Sequence, residues 1–142
     1  MSLFFGRKKK TDPVPVSKTG NIVVGRGLPG RLVLKISGVV TPEAVAETQR
    51  KVIETAGQGA PVTQGLFDAR EFQGWAPGFD GGMSDIEKMM AIDRIFERIA
   101  VIADEGWHES LALFMGAWAR KAQIKFFAPR DKEKALTWLE GR

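Results

Sequence analysis

Two β-branched runs open the patterned part of the chain, Asn21–Gly25 and Arg31–Gly38. In the second, Leu32, Leu34 and Ile36 alternate with Val33, Lys35 and Ser37, the spacing of a strand with one buried face. Gly27-Leu28-Pro29-Gly30 joins the two runs and predicts a hairpin turn. The period then changes. Thr41-Pro42-Glu43 supplies a capping hydroxyl, a proline at the first helical position and an acid, and Val45, Thr48, Val52 and Ala56 follow at helical spacing before Gly57. Val62–Asp68 and Glu97–Ala103 read as buried strands. Between them, residues 84–95 put Ile86 and Met90, with Met89 beside them, on one helical face. Trp107, Leu111, Phe114 and Trp118 form a stripe along a further helix. Ile124–Phe127 is a short strand, and Pro129 and Asp131 open a last helix carrying Ala135, Leu136 and Leu139. The order ββαβαβαβα predicts an α/β fold: a mostly parallel sheet with right-handed crossovers behind a leading antiparallel hairpin. Ligands of such sheets sit beyond the carboxyl ends of the parallel strands, which points to residues 69–83, 104–107 and 128–131.

At 142 residues the chain has the length of one domain able to bury its own core. Residues 1–20 combine a basic cluster with Pro13 and Pro15 and show no periodicity, so they are expected to be a flexible tail, with the domain at 21–142. Charge follows the same division. Residues 1–35 carry eight basic residues against one acid, whereas the remaining 107 carry 13 against 16. The net charge of +4 therefore comes from the head, and nucleic acid is not an expected partner. There is no cysteine, and no apolar run approaches the roughly 20 residues of a membrane span or follows the basic start as a secretory signal would. A cytoplasmic protein, peripheral at the inner membrane face, is the expectation. The head itself, Leu3-Phe4-Phe5-Gly6-Arg7-Lys8-Lys9-Lys10, pairs an apolar group with basic residues worth about 1 kcal/mol each near an anionic leaflet. It reads either as a membrane contact or as a solubilising tail.

Three segments carry a family resemblance: GLFDAREFQGWAPG at the third strand, FERIAVIADEGWHESL further on, and the closing KALTWLEG. A strand ending in Asp, then Phe-x-Gly-Trp, Phe-Glu-Arg-Ile-Ala-Val-Ile, a Trp opening the next helix and Ala-Leu-x-Trp-Leu, in this order over residues 21–141, resemble SpoIIAA-like (STAS-type) proteins. The resemblance implies a right-handed β–α superhelix with helices largely on one side of the sheet. It also implies kinship with anti-sigma-factor antagonists, which switch partners when a Ser after the third strand is phosphorylated, and with Sec14-type lipid-exchange domains. Where the antagonists carry Asp-Ser-Ser-Gly, this chain reads Asp68-Ala69-Arg70-Glu71, and no hydroxyl residue occurs from Asp68 through Met83. Ser84 is the first.

Candidate chemistry is sparse. Gly25-Arg26-Gly27-Leu28-Pro29-Gly30 spells G-x-G-x-x-G, but a strand follows it where a dinucleotide site needs a helix, so it reads as a turn. The loop glycines that include Gly81 and Gly82 do precede a helix at Ser84, and their amides suit an anion as well as a plain connection. Trp75, Phe79 and Met83, with Ile86, Met90, Trp107 and Phe114, either line an apolar pocket for a lipid or other small hydrophobic ligand or form core. His108, the only histidine, excludes a multi-histidine metal site and is expected to face solvent or cap a helix. Asp68 and Asp104 end strands and are expected to accept loop amides. No metal or cofactor is expected. The leading expectation is a non-enzymatic, membrane-associated binder of an apolar molecule; the alternative is a regulatory module that docks a protein partner through the same face.

Overall fold

The computed structural model describes residues 22–79, 86–118 and 121–141, with only the backbone described for Ile86, Met89 and residues 116–118. Five strands form one sheet: β1 (Ile22–Arg26), β2 (Arg31–Val40), β3 (Gln64–Trp75), β4 (Arg98–Ile102) and β5 (Gln123–Phe127). They lie side by side in chain order. β1 and β2 are antiparallel, Ile22 opposite Ile36, and every later pair is parallel. The glycine-spaced segment is the hairpin turn: the Gly27 amide donates to Arg31 O (3.0 Å), the Arg31 amide to Leu28 O (2.9 Å), and Gly30 takes φ 84°.

Helix α1 (Pro42–Ala56) starts as its sequence dictates, with the Thr41 hydroxyl accepting from the Ala44 amide at 3.1 Å. Its Ala44, Val45, Thr48, Gln49 and Val52 are buried. At its far end Arg26 donates to the carbonyls of Thr55 (2.8 Å), Gln58 and Ala60 (3.0 Å), a cation on the negative end of the helix. α2 (Ile86–Asp93) and α3 (His108–Trp118) complete the crossovers, a 3-10 turn (Glu105–Trp107) leading into α3. Crossovers between parallel neighbours are right-handed, and in a sheet laid down in chain order this puts all three helices on one face. They share one core there, in which Phe67, Ile99 and Val101 meet Val45, Val52, Ile92, Leu111, Phe114 and Met115.

α4 (Lys132–Leu139), after a 3-10 turn at Pro129–Asp131, joins none of these parallel pairs and is free of that rule. It covers the opposite face, where Ala135 and Leu139 pack on Leu66, Ala100, Ile102 and Phe127. Two side chains from the sheet hold its carboxyl end, Gln64 donating to Leu139 O and Arg98 to Trp138 O. Gln64 Oε1 in turn accepts from the buried Arg31 guanidinium.

β3 departs from expectation. A strand ending at Asp68 was expected, yet pairing with β2 continues through Ser37–Glu71, Gly38–Phe72, Val39–Gly74 and Val40–Trp75. Two register shifts, one between Lys35 and Ser37 and one between Gly38 and Val39, each leave an extra residue on β3. Seven residues expected in a loop, 69–75, are therefore strand. β4 stops at Ile102 opposite Asp68, so this extension pairs on the β2 side alone. Helix α2 also differs, because among its described side chains the buried one is Ile92. Met90, two residues and about 200° around the helix from it, is 53% exposed.

Gly65 lies where a Cβ would stand 2.9 Å from the wholly buried Phe67 ring and 3.0 Å from Phe96. Gly65→Ala is expected to lower the unfolding free energy by about 1–3 kcal/mol, measured by urea denaturation monitored by circular dichroism.

Candidate functional site

Two features sit at the carboxyl ends of β2, β3 and β4. The first is a cluster of rings. Phe72 makes edge contacts with Trp75 (4.9 Å between centroids) and Trp107 (5.0 Å); Trp75 also meets Phe79 (5.7 Å) and Phe114 (5.0 Å). The Trp75 indole N–H donates to the Ser110 hydroxyl at 2.7 Å, so the one polar atom of that ring is satisfied inside the cluster. Gly74, at φ 119°, lets Trp107 lie against the strand, since a Cβ there would stand 3.3 Å from the indole ring. The rings thus contact one another between strand and helix.

The second feature is polar. Ser37 and Gly38 of β2, Arg70, Glu71, Phe72 and Gln73 of β3 and Asp104 line a surface cleft of about 480 Å³. The β3 bulges build it: Ala69 and Phe72 are buried, while the intervening Arg70 and Glu71 both face solvent, which a regular strand does not allow. Arg70 is tied to Asp68 by two guanidinium bonds, 2.8 and 2.7 Å, and its own amide reaches the same carboxylate at 3.2 Å. Burial pushes the Asp68 carboxyl up, but the Arg70 hydrogen bonds and the charges of Arg70 and Lys35 outweigh it and hold the group below the usual aspartate range. The Lys35–Glu71 pair at 3.9 Å is exposed at both ends and adds little.

Of the expected pocket residues, Trp75, Phe79, Trp107 and Phe114 come together. Met90 does not join them, because it faces solvent. Only the backbone of Ile86 is described, and Met83, Gly81, Gly82 and Ser84 lie outside the described residues, as do Leu3, Phe4, Phe5, Arg7, Lys8, Lys9 and Lys10. Phe72 and Ser110 belong to the cluster and Arg70 and Gln73 to the cleft, and none was anticipated. The signal for Phe72 was its place in Phe-x-Gly-Trp. Asp68 accepts a backbone amide as expected, whereas the exposed Asp104 makes no capping bond through its side chain. His108, expected at the surface or as a cap, is half-buried: its Nε2 bonds Ala103 O at 2.8 Å and its ring lies 5.4 Å from Phe126. That bond fixes the tautomer and ties the start of α3 to the end of β4. Among the described residues, no three His, Asp or Glu side chains gather as a metal site would require, and no helix is long and apolar enough to cross a membrane.

The separated motifs thus meet in space. Phe72 and Gly74 lie against Trp107 on one face of the sheet, and Ala135 and Leu139 close the other against Ala100 and Ile102. A family model described as SpoIIAA-like matches residues 31–140, most of the chain. The chain belongs to the SpoIIAA-like family. It is also similar to the crystal structure of an uncharacterised DUF3478-family protein with a SpoIIAA-like fold from Shewanella loihica PV-4. That match has a TM-score of 0.58 and 23% identity over 83% of this chain and 91% of the other, a likeness of fold. No curated protein matches the chain. As a SpoIIAA-like protein it carries a STAS-type domain whose β3–α2 region lacks the hydroxyl of the antagonists as far as Met83.

Two variants test this geometry. Ser110→Ala leaves the Trp75 indole without its acceptor and is expected to cost about 1–3 kcal/mol, read by denaturation and a shift in tryptophan emission. Arg70→Gln removes the guanidinium bonds and charge that depress the Asp68 carboxyl, leaving the residue-70 amide and Lys35. A depressed folded-state pKa stabilises above the unfolded value of about 3.9 and loses that contribution as pH falls through the folded value. The variant is therefore expected to melt below the parent at pH 7, with the gap closing below about pH 4 in a thermal-melt series.

Proposed function

We propose that this SpoIIAA-like protein is a non-enzymatic regulatory module that docks a protein partner on the cleft at the carboxyl ends of its parallel strands. The observation that carries this reading is the double bulge of β3, which turns Arg70 and Glu71 outward together beside Gln73 and Asp104. An open, polar, shape-specific surface suits a partner better than it suits an apolar cargo. The aromatic cluster supports the same choice from the other side. Its rings contact one another and the Trp75 indole N–H is satisfied, so an apolar guest would have to displace packed side chains. The groups best placed for proton transfer are engaged structurally, Asp68 with Arg70 and His108 with Ala103 O.

A second reading, a lipid or membrane binder, draws on Leu113 and Met90, 77% and 53% exposed on the helical side, and on the basic, Phe-bearing head at residues 3–10. One comparison separates the two. A photo-crosslinking residue at Gln73, expressed in the organism that makes the protein, is expected to capture one stoichiometric protein, while the same residue at Lys51 on α1 captures none. Native mass spectrometry of the purified chain is expected to give the protein mass alone. A co-purified lipid, with no crosslink at Gln73, would replace the docking module with the carrier.

A further inference from the structure

At the opposite edge of the sheet, β5 pairs with β4 alone. The Gln123 amide donates to Glu97 O (2.9 Å) and Phe127 O accepts from the Ala103 amide (3.0 Å), so Gln123 and Phe127 turn their backbone groups inward. Alternate residues of a parallel strand bond to the same side, which leaves the N–H and C=O of Ile124 and Phe126 directed away from the sheet. Among the described residues nothing pairs with them. Their side chains are not the exposed part, because both pack on the main core. The strand is short and carries no proline, and its free groups are aligned with the rest of the sheet.

Beside this edge runs a groove of about 390 Å³ between β5 and α4, lined by Lys125, Phe127, Glu133, Lys134, Thr137 and Trp138. Its floor is aromatic. Phe127 and Trp138 lie 6.1 Å apart, and the Arg98 guanidinium sits 5.0 Å over the Trp138 ring, holding that ring in place while leaving it half-exposed. Its rim sets two lysines against the exposed Glu133: Lys125 rises over Phe127 at 5.5 Å, and Lys134 is 77% exposed with Asp131 at 3.7 Å. The sign of charge here is local. Residues 36–120 carry seven basic and 13 acidic side chains, whereas residues 121–142 carry six basic and three acidic.

We infer that an extended acidic peptide segment of a partner protein adds to the sheet as a sixth strand along β5, with an apolar side chain seated on Phe127 and Trp138 between Lys125 and Lys134. An edge strand flanked by a helix supplies both parts of this recognition: backbone pairing for affinity and a side-chain groove for specificity. The lysines select against basic and neutral strands, including a second copy of β5, which would bring Lys125 toward like charge. The surface is separate from the β3 cleft, and its test does not depend on what that cleft binds.

The probe is a short fluorescein-labelled peptide in which glutamate alternates with isoleucine and phenylalanine. Its anisotropy is expected to rise saturably with the full-length protein, and the Ile124 and Phe126 amides are expected to gain protection in hydrogen exchange. The same peptide N-methylated at every second residue is expected to bind at least about tenfold more weakly, because it cannot complete the ladder. Lys125→Glu with Lys134→Glu, both side chains exposed and thus compatible with folding, is expected to weaken binding about tenfold; Lys51→Glu on α1 leaves it unchanged. Absence of binding, equal binding of the methylated peptide, or protection away from β5 would each overturn the assignment.

Discussion

Handedness governs this molecule more than any single contact does. A sheet whose strands follow chain order, joined by right-handed crossovers, places every connecting helix on one side. α1, α2 and α3 obey and build the main core with Ile22, Leu32, Leu34, Ile36, Phe67, Ile99 and Val101. On the opposite face, among the described residues, the covering element is α4. α4 covers half of it, over β3, β4 and β5, held through Ala135 and Leu139 and by the Gln64 and Arg98 bonds to its last carbonyls. The other half, over β1 and β2, keeps Val23 and Val39 in solvent. Both candidate surfaces follow from this arrangement, one where β3 outruns its neighbour and one where α4 meets the last strand.

What the residues announce and what they hide can be traced to period. Leu32, Leu34 and Ile36 alternate cleanly because β2 buries one face against helices, and the leading hairpin is legible from them. Thr41-Pro42-Glu43 announces α1 through capping chemistry that works locally, whatever the tertiary setting. The extension of β3 is hidden for the converse reason. A bulge breaks the period of two, so buried Ala69, exposed Arg70 and Glu71 and buried Phe72 read as irregular when they are paired strand. The same break that conceals the strand makes the cleft.

α2 and α4 were obscure in other ways. Ile86, Met89, Met90, Ala91 and Ile92 surround the helix, so choosing Met90 over Ile92 as the inward residue needed the neighbours. α4 announces itself as amphipathic, but no local pattern tells which face of a sheet a helix outside the parallel crossovers will choose. The aromatic residues were legible as a group and ambiguous in role. The sequence offers Trp75, Phe79, Trp107 and Phe114 as pocket lining or as core, and only the ring contacts and the Ser110 acceptor show how they meet.

The overhang of β3 has a further consequence. Beyond Asp68 the strand has a ladder on one side only, while the stretch before it is clamped between β2 and β4. Free energies of local opening follow such differences, low where hydrogen bonds reach solvent and high where they are enclosed. The backbone bonds of residues 69–75 therefore open more readily than those of the clamped stretch before them. Ala69 and Phe72 anchor this tip in the main core, so it is the outward side chains, Arg70, Glu71 and Gln73, that can adapt on encounter without spending the stability of the whole.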